Sequence, residues 1–169
     1  MKTFAVHARK AWLEGLSPKE NRDVPPLDYP LVYRLKQEHP KLKIVLNGGI
    51  NTLDEAQAHL SHVDGVMLGR AAYHSPAMLA DVDARFFGGD AVSFEAAVEA
   101  YVEYAAGQLE QRVPLNRLTK PMLGLFNGRQ GARLFRRHLA ENGNLRGANL
   151  QTLRDALALV QPHQDREAA

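Results

Sequence analysis

Ile44-Val45-Leu46-Asn47-Gly48-Gly49-Ile50-Asn51-Thr52-Leu53-Asp54-Glu55 carries the turn on which the fold of this chain is read. Ile44, Val45 and Leu46 form a short apolar run rich in β-branched residues, which fits a buried strand. The run ends on Asn47-Gly48-Gly49, and Thr52-x-x-Glu55 then has the form of a capping box opening a helix through Leu60. Downstream, Val66-Met67-Leu68 reads as another strand and ends on Gly69-Arg70, followed by a helical stretch from Ala71 to about Val82 with an interruption at Ser75-Pro76. Upstream, Phe4-Ala5-Val6 is a first strand ending on His7-Ala8-Arg9. A long loop through Gly15, Pro18, Pro25 and Pro26 follows it. Pro30 then suits a first helical turn, and Leu31, Val32 and Leu35 share a face until His39-Pro40 stops the helix.

Strand, helix, strand, helix at this spacing predicts parallel strands joined by crossovers, an α/β arrangement. Three parallel strands alone leave both edges open and one face under-covered. The pattern therefore reads as the last three βα units of a TIM barrel, over residues 1–89. At Phe86-Phe87-Gly88-Gly89-Asp90 it changes. Ser93 caps a long helix with Phe94, Ala97, Val98, Tyr101, Ala105 and Leu109 on one face, and further helices are predicted near 118–127, 129–141 and 150–160. No strand is evident there, so residues 90–169 are expected to form a separate all-α domain.

A hydrophobic share of 45% with 24% charged residues suits a packed protein. No apolar run is long enough to span a bilayer and Met1-Lys2-Thr3-Phe4 does not resemble a signal peptide, so a cytoplasmic protein without membrane association is expected. The absence of cysteine excludes disulfides and thiolate ligands within the chain, and no metal is expected. The formal net charge of +2 hides a segregation: residues 81–110 carry seven acids and one base, whereas residues 111–140 carry seven bases and no acid. Arg129, Arg133, Arg136 and Arg137 fall three and four apart and are predicted to share a helix face. Such a stripe suits a phosphate backbone, although the acidic helix 94–110 could neutralise it by packing alongside.

In TIM barrels ligands sit at the C-terminal ends of the strands, and phosphate is often held after the last two. Asn47-Gly48-Gly49 lets backbone approach an anion, with the amides of the next helix pointing toward it. Gly69-Arg70 adds a guanidinium fork. A Gly-Gly turn or a lone arginine is ordinarily only a turn or a surface residue. Two such loops at consecutive strand ends make a phosphate cradle the stronger reading. His7 and Arg9 sit at the end of the first strand, on the same side; alone, each reads as a structural histidine and a surface ion pair. The loop from Lys10 to Arg22 is too long for a simple connection and mixes cations with Trp12, which fits either a binding loop or a packed flap.

The run His7-Ala-Arg-Lys-Ala-Trp-Leu-Glu-Gly-Leu-Ser-Pro-Lys-Glu-Asn-Arg22 resembles a signature of bacterial tRNA-dihydrouridine synthases of the A subfamily. Asn47-Gly-Gly-Ile50, Asp64-Gly-Val-Met-Leu-Gly-Arg70, Met122-Leu-Gly-Leu-Phe126 and Gly131-Ala-Arg-x-Phe-Arg-Arg-His-Leu139 continue the resemblance in order, while residues 117–121 depart from the family pattern. The resemblance implies a TIM barrel holding FMN, followed by a helical tRNA-binding domain. It implies FMN contacts at His7, Asn47, Gly48, Gly49, Gly69 and Arg70, the last four around the phosphate, and tRNA contacts at Lys19, Arg22, Arg133 and Arg136. The implied reaction is NADPH-dependent reduction of D-loop uridines, at tRNA positions 20 and 20a. In the family a cysteine gives the proton to the uracil ring, and that cysteine lies in the part of the barrel preceding Met1, so no catalytic residue is assigned within the chain. The oligomeric state is left open. Two other readings remain: another FMN-dependent barrel oxidoreductase acting on a small metabolite, or an RNA-binding product without activity of its own.

Overall fold

The computed structural model describes residues 1–12 and 14–160. They divide into two compact units, Met1–Ala72 and Tyr73–Ala169, the second described as far as residue 160.

In the first unit three strands, β1 (Thr3–His7), β2 (Lys43–Asn47) and β3 (Gly65–Met67), form a parallel sheet in the order β1-β2-β3. The β-branched run expected at 44–46 is its central strand. Register sets the faces: Phe4 lies beside Ile44, Val6 beside Leu46, and Val66 also beside Leu46. Ile44 and Leu46 are 1% and 0% exposed, and Val32 of α1 (Tyr29–Glu38) and Ala56 of α2 (Leu53–Leu60) complete the buried layer. Because side chains alternate along a strand, Ala5, Val45 and Gly65 form a row on the opposite face, and His7, Asn47 and Met67 form the next. Ala5 and Met67 on that face are exposed. Among the described residues no strand pairs with the outer edge of β1 or of β3.

Asp64 ties the unit together. Its Oδ2 accepts the Ile44 amide at 2.8 Å and meets Lys36 Nζ at 2.9 Å, joining the approach to β3, the start of β2 and α1. The hydrogen bond from Lys36 and then that from the Ile44 amide hold this carboxyl below its usual range. Asp28 caps α1 by accepting the Leu31 amide, with Pro30 in the first turn as expected.

In the second unit the described residues form helices and turns. They comprise α4 (Phe94–Glu110), α5 (Leu115–Thr119), α6 (Ala132–Asn142) and α7 (Leu150–Ala158), preceded by α3 (Arg70–His74), which crosses the division, and by two irregular turns. Ser93 caps α4 by accepting the Ala96 amide, and Asn149 opens α7 with a full capping box. The core gathers Val102, Leu115, Phe135 and Leu153, each at most 2% exposed, with Phe126 edge-on to Phe135 at 4.8 Å. The inward face of α4 is centred on Val102 and Ala105, and Ala97, expected on it, is exposed.

Three sequence expectations need correction. The stretch after Pro76 is not α-helical: Pro76–Asp81 is a 3-10 helix and Asp83–Phe87 a π turn ended by Gly88 at φ 68°. The helix expected at 118–127 is only α5 and a 3-10 turn over Lys120–Met122, after which the chain runs in turns up to Gly131. Pro121 and Gly124 are the physical reason, one lacking an amide hydrogen and the other packed against the His74 carbonyl. The helix expected from 129 starts at Ala132, because Gly131 adopts φ 90°. The segment 73–89 packs within the second unit, where the Asn127 side chain donates to the His74 carbonyl at 2.7 Å and the Val92 amide to the Ala80 carbonyl at 3.3 Å.

Candidate functional site

The row His7–Asn47–Met67 closes the sheet at the C-terminal ends of its three strands, and the chain beyond each end turns across it. A cavity of about 410 Å³ opens there. It is lined by His7, Arg22, Asn47, Gly48, Gly49, Gly69 and Arg70, with Ile50, Asn51, Met67 and Ala71. All six residues expected at a cofactor therefore share one cavity, drawn from all three strand ends.

Backbone shape explains the glycines. Gly48 and Gly49 adopt φ 118° and 71°, a region L side chains avoid. A Cβ on Gly48 would stand 3.0 Å from the His7 ring, and one on Gly49 would stand 2.5 Å from Leu27 Cδ1. Gly69 differs: its Cβ would meet nothing within 4 Å. No protein neighbour requires a glycine there, so the open space above it fits close approach of a ligand to the backbone.

The turn after Gly49 departs from expectation in one respect. Thr52 accepts the Glu55 amide at 3.1 Å, but the Glu55 carboxylate bonds to the Asn51 amide at 2.7 Å, one residue upstream of the position a capping box uses. The start of α2 thus already carries an acid beside the turn, with the Glu55 carboxylate folded back on the Asn51 amide. The cationic part of the cavity is Arg22 and Arg70.

Arg70 donates to the Asp23 carboxylate and lies 3.5 Å from the Arg22 carbonyl. The bond from Arg70 is the main cause holding the Asp23 carboxyl below its usual range. Arg9, at the end of β1, does not line this cavity; its guanidinium donates back to the Asp23 carbonyl at 3.2 Å and to that of Pro25, bracing the loop. Tyr29 donates to the Gly48 carbonyl at 2.8 Å and steadies the turn. Asp23 and Tyr29 escaped the sequence reading, because no local pattern marks either of them. Lys19 is exposed and precedes the short turn Glu20–Arg22, outside the cavity.

The four arginines of the basic stretch separate into two kinds. Arg129 is not on the helix. It lies over the Phe94 ring at 3.8 Å with Glu95 at 3.7 Å, so the acidic helix does neutralise this cation. Arg137 pairs with Glu141 at 2.8 Å. Arg133 is exposed and Arg136 bonds only the neutral Asn127 side chain, at 3.0 Å; among the described residues neither meets a carboxylate. The two left uncompensated are the two expected to contact tRNA.

A second hollow, of about 340 Å³ between Leu79, Phe94, Tyr101 and Met122, is walled by apolar side chains and has no charge to offer an anion. Among the described residues no group of three or more histidine, aspartate or glutamate side chains could hold a metal, and no helix is long and apolar enough to cross a membrane.

The family model described as Dihydrouridine synthase (Dus) matches residues 1–161. The chain belongs to the dihydrouridine synthase family. It is 52% identical over 159 residues to a protein of Salmonella typhimurium named tRNA-dihydrouridine(20/20a) synthase, a match covering 93% of this chain and 48% of that protein. A protein of the same name in Vibrio parahaemolyticus is 51% identical over 159 residues, covering 93% and 49%. One in Yersinia pestis is 52% identical over 161 residues, covering 94% and 47%. The chain thus spans about half the length of the curated relatives it matches. The matched region contains both the strand-end cavity and the arginines of α6.

Proposed function

We propose that this chain supplies the phosphate-holding side of an FMN site and a tRNA-gripping surface for reduction of uridine to 5,6-dihydrouridine in the D-loop of tRNA. The observation that carries the reading is the convergence of His7, Asn47, Gly48, Gly49, Gly69 and Arg70 on one cavity at the strand ends. The three parallel strands are read as the last three βα units of a TIM barrel, with residues 1–89 on the flavin side and residues 90–169 as the helical tRNA-binding domain. The open edges and uncovered face of the sheet support this, because a barrel would pair the one and fill the other.

Bound in the cavity, FMN supplies hydride chemistry, with NADPH as the reductant. The chain's own residues bind and orient it. Arg70, with Arg22 beside it, neutralises the phosphate through charge-assisted hydrogen bonds. Gly48, Gly49 and Gly69 let the backbone come close, and His7 and Asn47 present polar groups from β1 and β2. The chain has no cysteine, so a thiol that protonates the uracil ring must come from outside these 169 residues. A substrate at tRNA positions 20 and 20a follows the name of the relatives, and a cytoplasmic site of action follows from the substrate.

Arg133 and Arg136, which meet no carboxylate among the described residues, favour RNA over a small metabolite, which would have no use for them. Reversing both, as Arg133→Glu with Arg136→Glu, is expected to weaken tRNA binding by about tenfold or more and to reduce the salt slope by about one to two units. Retardation of tRNA across a salt series measures both. Unchanged affinity and slope would remove α6 from the RNA surface.

A further inference from the structure

We propose that Asp23 is an internal latch that competes with bound phosphate for Arg70, coupling occupancy of the cavity to the placement of the loop Ser17–Asp23. The inference rests on the phosphate reading above and deepens it. Arg70 and Arg22 line the cavity, yet the Arg70 guanidinium is engaged by the Asp23 carboxylate, which is not part of the lining. Both side chains are about half exposed, at 59% and 46%, and an ion pair so open to water is readily exchanged for another anion. A phosphate offers Arg70 more charge and more acceptors than a carboxylate.

What Asp23 does is passed on through a continuous run of short bonds. The amides of Asp23 and Val24 donate to the Glu20 carbonyl at 2.9 and 2.8 Å, so the turn Glu20–Arg22 moves with Asp23. Glu20 folds back on Ser17, accepting its amide at 2.8 Å and its hydroxyl at 2.6 Å. Asn21 grips the Trp12 backbone from both sides, accepting its amide at 2.8 Å and donating to its carbonyl at 2.9 Å. Arg9 holds the far end at the Asp23 and Pro25 carbonyls. Lys19 and Arg22, the cations of this turn, are therefore placed by whichever anion holds Arg70. Filling the cavity would present them differently to RNA. A merely orienting Asp23 would act the other way: its loss would leave Arg70 loose and weaken phosphate binding.

The sign of the effect on affinity separates the two roles, and Trp12, the single tryptophan, reports the loop. The experiment uses the 169-residue chain, inorganic phosphate followed by 31P line broadening, and Trp12 emission. Asp23→Asn is expected to bind phosphate about three- to tenfold tighter, and without phosphate its Trp12 emission should match that of the phosphate-saturated parent. Asp23→Glu, which keeps the carboxylate, should restore parental emission. Weaker binding by Asp23→Asn, or phosphate binding with a silent Trp12, would overturn the latch while leaving the cavity assignment standing. Absence of phosphate binding by both proteins would overturn the two together.

Discussion

Gly131→Ala is expected to destabilise the helical unit by about 3–5 kcal/mol, combining left-handed strain with overpacking. The residue sits at φ 90°, and an added Cβ would stand 2.0 Å from the Leu159 carbonyl oxygen and 2.8 Å from Val160 Cα. Those atoms are backbone, so relief requires moving the end of α7 away from the start of α6. That packing holds Phe135 and Leu153, both fully buried. Against a total stability of about 5–15 kcal/mol for a domain, the loss would leave much of the unit unfolded on mild heating. Gly128→Ala is the matched control: its φ is 82°, but a Cβ there meets nothing within 4 Å, so only the conformational strain of about 1 kcal/mol applies. Urea unfolding followed by circular dichroism separates the two. Equal midpoints would show that α6 and α7 do not meet as described.

The second large effect is on ligand binding. Arg70→Ala is expected to weaken FMN binding by about 10- to 100-fold, the loss of a charge-assisted hydrogen bond to phosphate. Arg70→Lys should recover part of this, because it keeps the charge but not the planar fork. Riboflavin, which has no phosphate, should bind both variants as it binds the parent. Flavin fluorescence titration reads all of these, and a similar loss for riboflavin would move Arg70 away from the phosphate.

The parallel sheet and the strand-end site were legible because their signals are local. The β-branched run at 44–46 and the Asn47-Gly48-Gly49 turn specify a strand and its end within a few residues, and the register then carries His7 and Met67 to the same end. The helical unit was less legible. Leu118, Met122 and Phe126 recur at helical spacing and are all buried, yet the chain between them turns around Pro121 and Gly124, so periodicity reported burial without reporting helix. Asp23 was not legible at all. Its role depends on Arg70, 47 residues away, and no local pattern links them. The basic stripe was half legible: spacing found the arginines, but only packing showed that Arg129 belongs to Phe94 and Glu95.

The proposed function stands or falls with the cavity at the strand ends receiving the phosphate end of FMN. The most direct measurement compares FMN and riboflavin binding to the purified 169-residue chain, by equilibrium dialysis at low salt. FMN is expected to bind, and riboflavin to bind at least about tenfold more weakly, since only FMN would engage Arg70 and the glycine turns. Equal affinities for the two flavins, or no binding of either, would contradict it.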